Sequence, residues 1–290
     1  MYPKRLRALS LCVYLLLLSP LYCFGQVRDQ FFDSAGTRIR YIVAGTGEPV
    51  ILIHGFSASA EMWTPLIQEL SPHYQVIAMD CRGHGTSGKP HDPAQYGIEM
   101  VNDVVRLMDH LHLAKAHIVG YSMGGSILMK MLIDQPDRFL TAVIGGSTGF
   151  RSTDKEETPD LVRNLQSGMS FSEAMIASAP PGTPAPSPQQ RQMMARMDAG
   201  QDPRALAAQR LGNPGLFVEY ALLAHNSVPT LVIYGEFDNP SRFDELKRAL
   251  PNSEFKIIEK AGHGAAVQSP QFAAYVRDFL DRHSLQRRDH

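Results

Sequence analysis

Cysteine is nearly absent from this chain. Of three in 290 residues, Cys12 and Cys23 fall within the first 25 positions, which leaves Cys81 by itself. No intrachain disulfide can staple the remainder, so stability must come from a buried core, for which roughly 265 residues are ample. Cys/His pairs at zinc-ligand spacing are also lacking, and neither a metal nor a cofactor is expected. Runs of Lys and Arg are missing as well. With a formal net charge of −1, the chain offers no basic patch to hold nucleic acid.

A membrane-length apolar run is not found. The apolar stretch Ala8 to Leu18 follows Lys4, Arg5 and Arg7, and Ser19-Pro20 breaks it well short of the ~20 residues a span needs. Cys23 and Gly25 then stand at the −3 and −1 places of a cleavage site before Gln26. Residues 1–25 read as a secretory signal peptide, so the chain is expected to be exported, periplasmic or extracellular. No stable membrane span remains after its removal; an uncleaved anchor is the lesser alternative. Losing the leader takes the formal charge from −1 to −4.

What is present is alternation. Phe31 to Ile42 reads as a hairpin about Ser34-Ala35-Gly36. Val50–Ile53, Val76–Met79, Ala116–Val119, Ala142–Ile144 and Pro229–Tyr234 are short, mainly apolar runs, as strands buried on both faces require, and Phe255-Lys256-Ile257-Ile258 reads as a last strand. Helical periodicity separates them at 61–70, 98–112, 122–135, 242–250 and 271–280. The pattern implies an α/β fold, a doubly wound and mostly parallel sheet. From Arg151 to about Asn226 the strands stop. Thr158-Pro159, Ser187-Pro188, Asp202-Pro203 and Asn213-Pro214 each put a capping side chain before a proline that suits the first helical turn. A helical cap over 151–226 thus divides a core of 26–150 from 227–290.

Val119-Gly120-Tyr121-Ser122-Met123-Gly124-Gly125 is the central motif. A G-x-S-x-G between a strand and a helix is a nucleophile elbow, a turn so tight that its neighbours must be glycine. It exposes the serine hydroxyl at a helix N-terminus, where free amides and the dipole favour developing negative charge. A neutral serine needs a base, and the base needs a carboxylate. In an open parallel sheet such groups gather at the carboxyl ends of strands. Asp238 follows one strand in Tyr234-Gly235-Glu236-Phe237-Asp238, with Glu236 and Asp244 as alternative acids, and His263 follows the last strand in Gly262-His263-Gly264.

These motifs, with His54-Gly55-Phe56 and Asp80-x-Arg82-Gly83-His84-Gly85-x-Ser87, make the chain from about Arg38 onward resemble the α/β-hydrolase family in its capped branch. The resemblance implies that Ser122 attacks, His263 carries the proton and Asp238 orients it. It also implies an oxyanion hole from the backbone N–H groups of Phe56 and Met123. His54, Asp80, Arg82 and His84 are expected to brace loops. Relatives that react through an aspartate nucleophile are disfavoured by the serine, leaving acyl transfer.

The expected substrate is a small or medium apolar carboxylic ester. Carbon–carbon bond hydrolysis, lactone or thioester cleavage, and a non-catalytic binding protein on the same fold are the alternatives. Candidate pocket residues are Trp63, Tyr121, Met193, Met197 and Phe217, among a methionine-rich lid that includes Met169, Met175, Phe171 and Leu216. Those lid residues either line an adaptable apolar pocket or pack the lid onto the core. Oligomeric state is not legible.

Overall fold

In the computed structural model, residues 29–151, 159–180 and 182–285 are described. The leader at 1–25 and the Thr158 cap lie outside them. Eight strands form one sheet: β1 (Asp29–Ser34), β2 (Thr37–Ala44), β3 (Glu48–Ile53), β4 (Tyr74–Met79), β5 (Ala116–Tyr121), β6 (Phe139–Gly145), β7 (Thr230–Gly235) and β8 (Glu254–Ile258). Their spatial order is β1-β2-β4-β3-β5-β6-β7-β8. β2 pairs antiparallel with β1 and β4, and every later pairing is parallel.

Period-two alternation explains why the central strands, β3 to β7, are largely apolar, whereas β1 and β8 at the edges carry exposed charged residues. Ile51, Ile53, Ile77, Met79, Ile118 and Ile144 face one side of the sheet, against α2 (Ile98–His110) and α3 (Met123–Asp134). Val50, Leu52, Val76, Val119 and Val143 face the other, against α1 (Thr64–Leu70) and α11 (Pro270–His283). Both faces are covered, so both sets of alternating positions must be apolar.

Between β6 and β7 come α4 (Pro159–Gln166), α5 (Phe171–Ala177), α6 (Pro188–Asp198), α7 (Pro203–Gly212) and the short α8 (Tyr220–Leu223). Asp202 caps α7 by accepting from the Arg204 and Ala205 amides, and Ser187 does the same for α6 through the Gln190 amide. Asn213-Pro214 departs from expectation. It opens only a single 3-10 turn, and the Asn213 side chain instead accepts from Gln209. A start not anticipated is Ser170-Phe171, where Ser170 and Glu173 form a reciprocal capping box. The remaining helices are α9 (Pro240–Ala249) and α10 (His263–Ala266).

The candidate active site

β3 lies between β4 and β5, so the chain turns opposite ways from neighbouring strands and leaves a crevice at their carboxyl ends. Ser122 follows β5 there with φ 53° and ψ −113°, outside the regions an ordinary residue prefers. The elbow leaves no room for a side chain at its glycines. A Cβ on Gly124 would lie 2.0 Å from the Ile53 carbonyl oxygen, and one on Gly120 would lie 2.3 Å from that of Gly124.

His263, at the first position of α10, places Nε2 at 2.9 Å from the Ser122 Oγ. Its Nδ1 stands 3.2 Å from Asp238 Oδ1. A carboxylate only accepts, so Nδ1 carries the proton and Nε2 is left to accept from the serine hydroxyl. The other Asp238 oxygen accepts from the Gly235 amide at 2.9 Å, which locks the carboxylate in the turn after β7. Of the other acids weighed, Glu236 accepts from the Lys260 amide and Asp244 is exposed on α9. Only Asp238 of the three contacts the imidazole.

The loops beside the crevice are braced as the sequence suggests. Asp80 is fully buried and accepts from the Ala60 amide at 2.7 Å, the Thr86 amide at 2.8 Å and the Arg40 guanidinium. Arg82 donates twice to Asp103 on α2, at 2.6 Å each, and once to the Gln95 carbonyl. His54 donates from Nδ1 to the Gly55 carbonyl and accepts the Cys81 amide at Nε2, a neutral tautomer. Burial lowers its pKa. Burial likewise pushes the His84 imidazole down to about 3, with His54 and Lys89 adding to the shift. The buried Cys81 thiol is held well above its ordinary range by burial and then by Asp103 and Asp80. It has no thiolate character to act with.

A cavity of about 530 Å³ opens over Ser122 and His263. Phe56, Met123, Phe150, Val162, Leu211 and Phe217 supply its apolar walls, with Ser126, Ser147, Arg210 and Arg242 among them. Phe217 therefore stands where it was expected. Trp63 does not. It is buried against Phe272 on the α11 side of the sheet, because an indole that size fills the gap between α1 and α11. Tyr121 also faces away from the cavity. Successive strand residues point to opposite faces, so its ring lies under His263 and its hydroxyl donates to the His263 carbonyl. Burial, followed by the Asp238 charge, raises its pKa. Met169 and Met175 are exposed and Leu216 is in the main core. The side chains of Met193 and Met197 lie outside the described residues.

Sequence reasoning missed Ser126 and Ser147, whose hydroxyls meet at 3.0 Å beside the elbow. Ser126 is one helical turn after Ser122, a spacing that could have signalled it; nothing local marks Ser147. A second hollow of about 290 Å³ lies far from these groups, between Leu223–Pro229 and Leu250–Ser253, and its lining has no titratable side chain. Among the described residues, no three His, Cys, Asp or Glu side chains gather as a metal site would need.

The fold and this crevice define a hydrolase class, and comparison with known proteins agrees. A family model described as alpha/beta hydrolase fold matches residues 48–171. The 2-hydroxy-6-oxo-6-(2'-aminophenyl)hexa-2,4-dienoic acid hydrolase of Metapseudomonas resinovorans is 30% identical over 284 residues, spanning 88% of this chain and 91% of its own. Among solved structures, the enol-lactonase from Burkholderia xenovorans LB400 has a TM-score of 0.74 at 22% identity, over 87% of this chain and 100% of that one. A thermophilic esterase from Thermogutta terrifontis has a TM-score of 0.71 at 25% identity, over 88% and 99%. The chain belongs to the α/β-hydrolase family.

Proposed function

We propose that the protein is a serine hydrolase that cleaves the ester bond of a small or medium apolar substrate through an acyl-enzyme. The observation that carries this reading is the 2.9 Å approach of His263 Nε2 to Ser122 Oγ, with Asp238 on the far side of the ring. Ser122 Oγ attacks the carbonyl carbon while its proton passes to Nε2. The resulting oxyanion meets the Phe56 and Met123 amides. Nε2 then returns the proton to the leaving alcohol, and water repeats the sequence to release the acid. Asp238 holds the tautomer and stabilises the imidazolium. The apolar walls of the cavity suit an acyl chain or aromatic ring.

Carbon–carbon bond hydrolysis is a second reading, favoured by the nearly full-length similarity to the M. resinovorans hydrolase. Purified protein assayed on aryl esters of graded acyl length beside a vinylogous diketone separates the two, and we expect turnover on the esters. Ser122→Ala should lower that turnover at least about a thousandfold with the fold intact by circular dichroism. Activity kept within tenfold would discard the mechanism. An organophosphonate should add its mass to Ser122 in the native protein only. An unlabelled serine would favour a binding protein.

A further inference from the structure

Phe56 joins the two parts of the molecule. Its side chain packs against both the main core and the lid cluster that contains Leu161, Leu165 and Leu206. The ring meets Phe171 of α5 edge-on at 5.5 Å and carries the Arg210 guanidinium of α7 at 5.1 Å.

The backbone there is a turn closed by the Ala58 amide on the Gly55 carbonyl at 3.2 Å. His54 Nδ1 donates to that same carbonyl at 2.7 Å. In a trans peptide the C=O and N–H point opposite ways, so holding the Gly55 carbonyl aims the Phe56 N–H away from it. The third residue of this turn is Ser57, at φ 56°, where glycine or asparagine is the ordinary occupant. Something must hold a serine in that conformation, and the lid contributes the contact. Gln201, between α6 and α7, donates Nε2 to the Ser57 carbonyl at 3.0 Å.

We infer that Gln201 is a positioning residue for the oxyanion hole: by holding Ser57 from the lid it sets the direction of the Phe56 amide, so that seating the lid and completing the hole are one event. The inference rests on the reading that Ser122 attacks and the Phe56 amide receives the oxyanion. It assigns Gln201 no contact with substrate. Its effect runs through Ser57 and appears only when charge develops on the carbonyl oxygen.

The test compares wild type with Gln201→Ala and with Gln201→Met, which keeps the side-chain length and removes the donor. For each, kcat and KM on an aryl ester are measured, together with inhibition by an aryl trifluoromethyl ketone, which adds serine to form a tetrahedral oxyanion. Removing an oxyanion donor outright costs about a hundred- to a thousandfold, and misaiming one costs part of that. Both variants should lose about tenfold in kcat and about tenfold in ketone affinity, with KM within twofold and melting temperatures near wild type. Unchanged kcat and ketone affinity, or a loss carried by KM alone, overturns the inference and leaves Gln201 a lid fastener. Failure of the underlying reading is distinct: the ketone would not inhibit and the phosphonate would not label wild type, and this inference would fall with it.

Discussion

At the scale of single residues, two serines sit where serine is uncomfortable. Ser57 and Ser122 both have positive φ, a conformation costing a non-glycine residue of order 1–3 kcal/mol. At Ser122 the surrounding backbone over-determines it, through the Ser122 amide on the Gly145 carbonyl and the Ser126 amide on the Ser122 carbonyl. The buried histidines carry a pH prediction. His84 is fully buried and its imidazole is held near 3, well below its ordinary range, so the native state resists a proton that the unfolded chain accepts. Stability from this group is fully present above about pH 6.5 and is lost as pH falls toward 3. One pKa unit is worth 1.36 kcal/mol, so about 2 kcal/mol should go between pH 6.5 and 4.5. His54, lowered by burial too, acts in the same direction. Urea titrations across that range check this. His84→Asn, whose amide can still reach the Arg82 carbonyl, should show a shallower pH slope than wild type.

At the scale of elements, the crevice is built from loops braced against helices. Arg82 reaches Asp103 on α2 with both groups about 1% exposed, which ties the loop after β4 to a helix of the core. Asp103→Ala would leave a guanidinium buried without its main partner and should cost about 3–5 kcal/mol in a urea melt. A loss under 1 kcal/mol would mean that the loop relaxes enough to hydrate Arg82. The elbow has the opposite constraint, a lack of space. Gly124→Ala drives a methyl into the Ile53 carbonyl, so α3 must shift relative to β3. We expect at least about 2 kcal/mol of destabilisation and a matching loss of phosphonate labelling at Ser122.

At the scale of the whole molecule, the sheet is a platform and the helices from Pro159 to Leu223 form its roof. Phe56, Gln201 and the pair His91–Asp202 at 2.8 Å link them. Export is a proposal at this scale, carried by the basic-then-apolar order of residues 1–25. Among the described residues no helix is long and apolar enough to cross a membrane. N-terminal sequencing of protein recovered from an expressing cell's exterior fraction should begin at or near Gln26, and an intact Met1 would overturn the leader assignment.

Local chemistry in the chain was enough to read the order of strands and helices, the elbow, and the two strand-end loops that carry Asp238 and His263; which acid meets the imidazole, Asp238 rather than Glu236 or Asp244, came only with the fold. Apolar runs, capping pairs and tight glycines act over a few residues and leave their mark in sequence. The alternation that buries Val50 on one side and Ile51 on the other needs no more than a sheet covered on both faces. The pocket wall was another matter. Trp63 and Tyr121 stand near the motifs in sequence yet face away from the cavity, whereas Arg242 comes to it from α9 and Ser147 and Phe150 from the loop after β6. Which face a side chain takes depends on strand parity and on what volume the neighbouring helix leaves. Both are set only when distant segments pack together.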